Sequence, residues 1–332
     1  MATTRDGLRG QRVAASCAPV VLLAYKRPEH TRRVFEAIRE ARPAVFMAVM
    51  DGPKAGDQQD HALVEATREV LDHIDWPCEF HQIYADSNLG LKRRVSSGLD
   101  EVFTLVDEAI ILEDDCLPSP SFFPYATELL ERYRTNDRVG IISGTQRLRG
   151  RWQTDNSYLF SRDARIWGWA TWSRTWKAFA ESGDLDANWT PLEAENLGTL
   201  FASGPRRRSM VSMMTHSERL DSWALPFAVH CAQKGYLNPI PRENLVQNIG
   251  LGDGSTHTGF ENYVVDVTRA DIRLPLMHPS EVDYGFLVDE WESSLDSHEF
   301  YAYPLKHPLD AARRFWRYAR KRLEGLINRQ PL

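Results

Sequence analysis

The chain has 332 residues, with 46 acids against 40 bases and a formal net charge of -6, so a nucleic-acid partner would lack its usual electrostatic footprint. At 42% hydrophobic and 26% charged residues the composition is that of an ordinary globular protein, and the length suits one large α/β domain or two closely packed lobes. Ten Trp are many; they build core or flat apolar walls for ligands.

In chain order, residues 1–17 are polar and basic, without the apolar core of a signal peptide, and are expected to be disordered. Pro19 to Ala24 reads as a buried strand, far too short to span a membrane. Pro28 opens a helix to about Arg39, with Val34, Phe35 and Ile38 on one face. Val45 to Met50 is a second strand, ending at Asp51-Gly52-Pro53. Leu63, Val64, Val70, Leu71 and Ile74 fall at helical spacing, and Glu79 to Tyr84 is a third strand. Asn88-Leu89-Gly90 begins a helix whose expected buried stripe is Leu91, Val95, Leu99 and Val102. Alternating strands and helices predict an α/β fold with a mostly parallel sheet.

The fourth strand, Ala109 to Leu112, ends abruptly in Glu113-Asp114-Asp115. Buried strands of open α/β folds deliver their C-terminal ends to the edge where ligands bind. Three carboxylates there repel one another unless a cation or a paired base offsets them. Hard divalent cations take oxygen ligands and are commonly completed by substrate phosphates. The triplet therefore suggests a metal holding a nucleotide diphosphate; a solvated acidic turn is the plainer reading. Tyr25-Lys26-Arg27 and Asp51 also follow strands. Arg27 can pair with phosphate, and Asp51 can accept from a base N–H or a ribose hydroxyl.

Phe122 to Tyr133 reads as a helix and Val139 to Ser143 as a strand. Residues 147–160 read as a loop with a short strand, 167–179 as aromatic-rich and partly helical, 193–234 as mainly helical, and 236–262 as turn-rich. The tail from Leu309 is a basic amphipathic helix, suited to an anionic membrane surface or to packing on the body. The expected division is 1–17, a nucleotide-sugar-binding half 18–145, an acceptor-binding half 146–308, and the tail 309–332. Cys17, Cys78, Cys116 and Cys231 are scattered, with no C-x-x-C pair, which fits a reducing, cytoplasmic setting. The sequon Asn188-Trp189-Thr190 is taken as chance.

Several blocks resemble the GT-A glycosyltransferases, nearest to the N-acetylglucosaminyltransferase I type. They are L-L-A-Y-K-R-P-E-H-T at 22–31, V-M-D-G at 49–52, I-L-E-D-D-C-L-P-S-P-S-F-F at 111–123, R-V-G-I-I-S-G at 138–144 and Y-L-F-S-R-D-A-R-I-W-G-W-A-T-W at 158–172. The last block is also similar to a bacterial group described as sugar transferase-like, so the sugar itself does not carry over.

The resemblance implies a Rossmann-like nucleotide-sugar fold and residue roles. Asp115 would ligate Mn²⁺ or Mg²⁺, Asp114 contact the donor ribose, and Glu113 help hold the sugar. Arg27, with Tyr25 beside it, would touch the nucleotide or its phosphates, and Asp51 a uracil-type base. Asp221 in Leu220-Asp221-Ser222-Trp223 is nominated as catalytic base, with a helix cap as the bland alternative. His257 is a candidate metal or phosphate contact. Trp167 and Trp169, with Gly168 allowing close approach, suggest a sugar-binding wall. Lys92 and Arg93 are placed to reach the donor phosphates, or simply form an exposed helix face.

These roles imply an inverting, metal-dependent transfer from a UDP-sugar to a glycan, lipid-linked or small-molecule acceptor. A sugar nucleotidyltransferase would need a Gly-rich loop after the first strand, and Ala24-Tyr25-Lys26-Arg27-Pro28 has no glycine. A non-catalytic carbohydrate-binding protein would not need the acidic triplet. No G-x-S-x-G or Walker loop signals another chemistry.

Overall fold

Strand β1 (Val20–Ala24) is apolar along its whole length, and helices cover both its faces. Helix α1 (Pro28–Ala41) begins with Pro28 in its first turn and buries Thr31, Val34, Phe35 and Ile38. Next come β2 (Val45–Met50), α2 (Gln58–Glu69) and a short 3₁₀ turn over Val70–His73. The stripe reaching Ile74 therefore spans two elements instead of one helix. Strand β3 (Glu79–Tyr84), α3 (Leu91–Leu105) and β4 (Glu108–Glu113) complete the alternation. The computed structural model describes residues 17–148, 152, 154–201, 204–250, 267–285 and 289.

Beyond β4 come β5 (Cys116–Pro118), α4 (Phe122–Arg132), β6 (Ile141–Ser143), β7 (Tyr158–Ser161), β8 (Trp169–Trp172) and α5 (Ser173–Ser182). Helices α6 (Pro191–Gly198), α7 (Pro205–Thr215) and α8 (Ala224–Gln233) follow, then β9 (Asn238–Pro241) and β10 (Val246–Asn248). The main sheet has six strands in the order β3-β2-β1-β4-β8-β6. The first four are mutually parallel, and β8 runs antiparallel between β4 and β6. This is a mixed α/β architecture with a mainly parallel sheet flanked by helices. Two antiparallel pairs, β7 with β9 and β5 with β10, lie outside it.

Alternation along β1 divides the core. Val20 and Leu22 face a cluster containing Val34, Phe35, Phe122 and Leu129. Val21 and Leu23 face another containing Val95, Leu99, Trp169, Trp176, Trp223 and Phe227. A smaller cluster around Phe201, Met210, Met214 and Val229 holds α7 against α8. The strand nature of 169–172 is invisible to a periodicity reading, because all four residues are buried and no alternation remains. Leu91, expected in the buried stripe of α3, is instead 39% exposed, at the open mouth of that helix.

Among the described residues no helix is long and apolar enough to cross a membrane. The N-terminal segment before Cys17, the tail helix and His257 lie outside the described residues.

Candidate functional site

Parallel register brings three loops to one rim. Leu23 of β1 is level with Val49 of β2 and with Glu113 of β4, so Tyr25–Arg27, Asp51 and Asp114–Asp115 leave the sheet side by side. The strand order reverses here, since the chain passes from β1 outward to β2 and β3 and returns to β4 on the other side. Such a switch point is where open α/β sheets leave a crevice for ligands.

Arg27 and the acids meet at this rim. Arg27 Nη1 donates to Asp115 Oδ2 at 2.9 Å and to Asp114 Oδ1 at 3.4 Å. Burial and the neighbouring Asp115 carboxylate push Asp114 well above the usual carboxylate range, against the pull of Arg27 and the Tyr25 amide. The pairing of β10 with β5 carries residues 246–250 past the same acids. The Ile249 amide donates to the Asp115 carbonyl at 2.8 Å, and His30 Nε2 lies 3.2 Å from the Ile249 carbonyl.

Asp51 has a different role from the base contact expected of it. Asp51 is 4% exposed. Oδ1 accepts from the amides of Gly52 and Leu89, both at 2.9 Å, and Oδ2 from Asn88 Nδ2 at 2.9 Å and the Gly90 amide at 3.1 Å. Asp51 thus folds the turn 88–90 onto the end of β2. Truncation strands four donors, one buried and three partly buried. Asp51→Ala should cost about 2–3 kcal/mol of stability, read by chemical denaturation; a change below about 0.5 kcal/mol would show the turn holding itself.

The same turn is gripped from its other side by Asp221. Its Oδ2 accepts from the Leu91 amide at 3.0 Å and its Oδ1 from the Lys92 amide at 3.1 Å. Asp221 therefore caps the N-terminus of α3. It is not the cap of α8, whose N-cap residue is Trp223. Gly90 makes room for it: its φ is 80°, and a Cβ there would sit 3.0 Å from Asp221 Oδ2. The carboxylate remains exposed to solvent.

One residue of this rim was not anticipated. Buried Asp60, in the first turn of α2, accepts from Tyr25 Oη, from Lys26 Nζ and from the Lys54 amide at 2.8 Å. It ties the loop after β1 to the loop after β2. Burial pushes its carboxyl up, but Lys26, the Tyr25 hydroxyl and the Lys54 amide outweigh this and bring it down from 3.8 to about 2. A depressed carboxyl stabilises the fold above its unfolded pKa and loses that contribution as pH falls through its folded one. Stability should therefore drop between pH about 4 and about 2 more steeply in the parent than in Asp60→Asn. Parallel pH profiles of denaturation would remove Asp60 from this account.

The aromatic block is divided by the structure. Trp169 is fully buried, stacked on Trp223 at 5.7 Å and packed on Phe227 at 5.3 Å, so it is core and not a sugar-facing wall. Gly168 has φ 65°, and a Cβ there would lie 2.5 Å from Val246, so packing accounts for this glycine. Trp167 is only partly buried, with the Arg147 guanidinium 5.5 Å from its ring. Trp169→Phe should cost about 1–2 kcal/mol through the space it empties. Donor affinity should not change; a selective loss of binding would return Trp169 to the site.

Lys92 and Arg93 pair with Asp186, at 2.7 and 3.3 Å, and so clamp the 184–186 turn to the start of α3. Below this clamp lies a cavity of about 300 Å³, lined by Lys92, Asp186, Asn188, Ser217, Ser222 and Leu225 among others. It mixes polar and apolar walls and adjoins Asp221 through Leu220 and Ser222.

Asp114 and Asp115 supply hard oxygen donors at one point, where Arg27 Nη1 reaches an oxygen of each. These residues fit Mn²⁺ or Mg²⁺. Among the described residues no group of three or more His, Cys, Asp or Glu could hold a metal, so phosphate or water oxygens would have to complete such a site.

No family model matches this chain, and no curated protein matches it either. Among solved structures the chain is similar to UDP-glucose pyrophosphorylase complexed with UDP-glucose, with 11% identity, 66% of this chain and 89% of that chain covered, and a TM-score of 0.34.

Proposed function

We propose that the chain is an inverting glycosyltransferase of the GT-A type, moving a sugar from a nucleoside diphosphate sugar, a UDP-sugar first, to an acceptor hydroxyl. The observation that carries this reading is the meeting of Arg27 with Asp114 and Asp115 at the switch point between β1 and β4. Anionic and cationic groups at one crevice suit a diphosphate together with its counter-ion. Asp115 and Asp114 would hold Mn²⁺ or Mg²⁺, which when bound stabilises the charge that grows on the departing diphosphate.

The chain's own residues do the rest. Arg27 binds the diphosphate, and Glu113 orients the sugar. The acceptor would enter from the side of the 300 Å³ cavity, whose wall includes Leu220 and Ser222 on either side of Asp221 in the chain. Two backbone amides fix that carboxylate in one orientation while leaving it open to solvent. The acceptor oxygen attacks the anomeric carbon from the face opposite the diphosphate, its proton passes to Asp221, and the bond to the diphosphate breaks. The products are the glycosylated acceptor and the nucleoside diphosphate.

The test is a melting-temperature screen of sugar nucleotides with and without Mn²⁺, followed by an assay for released UDP. A ligand at about 100 times its Kd stabilises by about 2.7 kcal/mol, a shift easily read. UDP release that depends on acceptor supports the transferase. Pyrophosphate formed from UTP and a sugar 1-phosphate makes the chain a nucleotidyltransferase instead. Stabilisation without turnover makes it a binding protein.

A further inference from the structure

We propose that Arg27 and a divalent cation are alternative partners of the same two carboxylates, and that a nucleoside diphosphate drives the exchange by taking over the Arg27 guanidinium. This rests on the nucleotide-sugar reading above.

One nitrogen, Nη1 of Arg27, reaches both Asp115 Oδ2 and Asp114 Oδ1, at 2.9 and 3.4 Å. Those oxygens face one point, which the guanidinium covers. A dication bound by the same two oxygens would stand where the guanidinium nitrogen stands. Like charges at such separation repel strongly in a partly desolvated site. Cation and guanidinium therefore exclude one another.

Arg27 is built to move without disturbing the fold. Its backbone is anchored, because its carbonyl accepts the Thr31 amide at 2.9 Å and Pro28 follows it at the start of α1. Its side chain is 30% exposed, whereas Asp114 and Asp115 behind it are 12% and 17% exposed. The guanidinium thus lies on the solvent side of the acids. A diphosphate offers its planar fork the same bidentate partner that the carboxylates do. Arg27 neutralises two adjacent acids. In the loaded site it would neutralise phosphate, and the acids would be released to the cation.

Linkage makes this quantitative. If diphosphate removes the competitor, it tightens the cation, and by reciprocity the cation tightens the diphosphate equally. The experiment is calorimetric titration of Mn²⁺ into the full chain, alone and with saturating UDP. In the parent, UDP should tighten Mn²⁺ by about tenfold or more. In Arg27→Gln, Mn²⁺ alone should bind at least about threefold tighter than in the parent, and the effect of UDP should be smaller than in the parent, the remainder being what phosphate oxygens contribute as ligands. Arg27→Lys, which keeps the charge but loses the fork, should leave Mn²⁺ alone as weak as in the parent while reducing the UDP effect. It gives an independent reading should the glutamine variant not fold. Mn²⁺ that binds Arg27→Gln no tighter than the parent, or binds Arg27→Lys as tightly as Arg27→Gln is expected to, overturns the exchange. UDP and Mn²⁺ binding independently in the parent overturns the exchange alone. A parent that binds no UDP in the presence of Mn²⁺ overturns the nucleotide-sugar reading and the exchange together.

Discussion

Asp115→Ala should abolish Mn²⁺-dependent binding of UDP-sugars while the protein stays folded. The two halves of that expectation have separate grounds. The backbone of Asp115 carries the structural contact, since its carbonyl accepts the Ile249 amide, and alanine keeps that bond. The side chain mainly meets Arg27, which retains Asp114 as a partner after the change. A partly exposed ion pair of this kind is worth about 0–1 kcal/mol, so the melting temperature should move little. The loss of a direct oxygen donor is of another order. Outer-shell partners of metal sites are worth about 10–100-fold in affinity, and a ligand should exceed that. Calorimetry with Mn²⁺ and a UDP-sugar reads the effect. Undiminished donor binding by the variant, or parent activity indifferent to chelator, would sink the metal assignment.

Asp221→Asn should lower turnover by about 10²–10⁴-fold, the usual worth of a positioned general base. Donor affinity should stay near that of the parent, because the contacts of Asp221 are the amides of Leu91 and Lys92 and not Arg27, Asp114 or Asp115. The structural half of its work is two amide contacts to the start of α3. Asparagine keeps one carbonyl oxygen for them and remains a good capping residue, so stability should fall by about 1 kcal/mol or less. The split between large kinetic loss and small stability loss is what separates a base from a cap. Turnover within about threefold of the parent, with the same stability loss, would leave Asp221 as a tie between distant segments only.

Both positions show where local pattern stops being informative. The apolar runs of β1, β2 and β4, the buried stripes of α1 and α3, and the three acids ending β4 are all contiguous or periodic. Each is a property of a few neighbouring residues, and burial on a sheet or helix face follows from it. That was enough to read a mainly parallel α/β sheet and to place Arg27, Asp51 and Asp114–Asp115 at strand ends. Strand β8 escaped because a segment buried on both faces has no alternation.

The partners of the polar groups were decided only by tertiary structure. Asp51 looked available to a ligand, but three of its four donors come from a turn 37–39 residues further on. Asp221 looked like the cap of the helix after it, yet it caps one that starts 130 residues earlier. Trp169 and Trp167 are equivalent in sequence, and only the packing of Trp223 and Phe227 buries the first. Asp60 carries no local sign of its ties to Tyr25 and Lys26, 35 and 34 residues away. Hydrophobic pattern is set by each residue's own transfer free energy and so is written along the chain. A hydrogen bond needs two groups placed within about 3 Å, and that placement exists only once the fold has brought distant segments together.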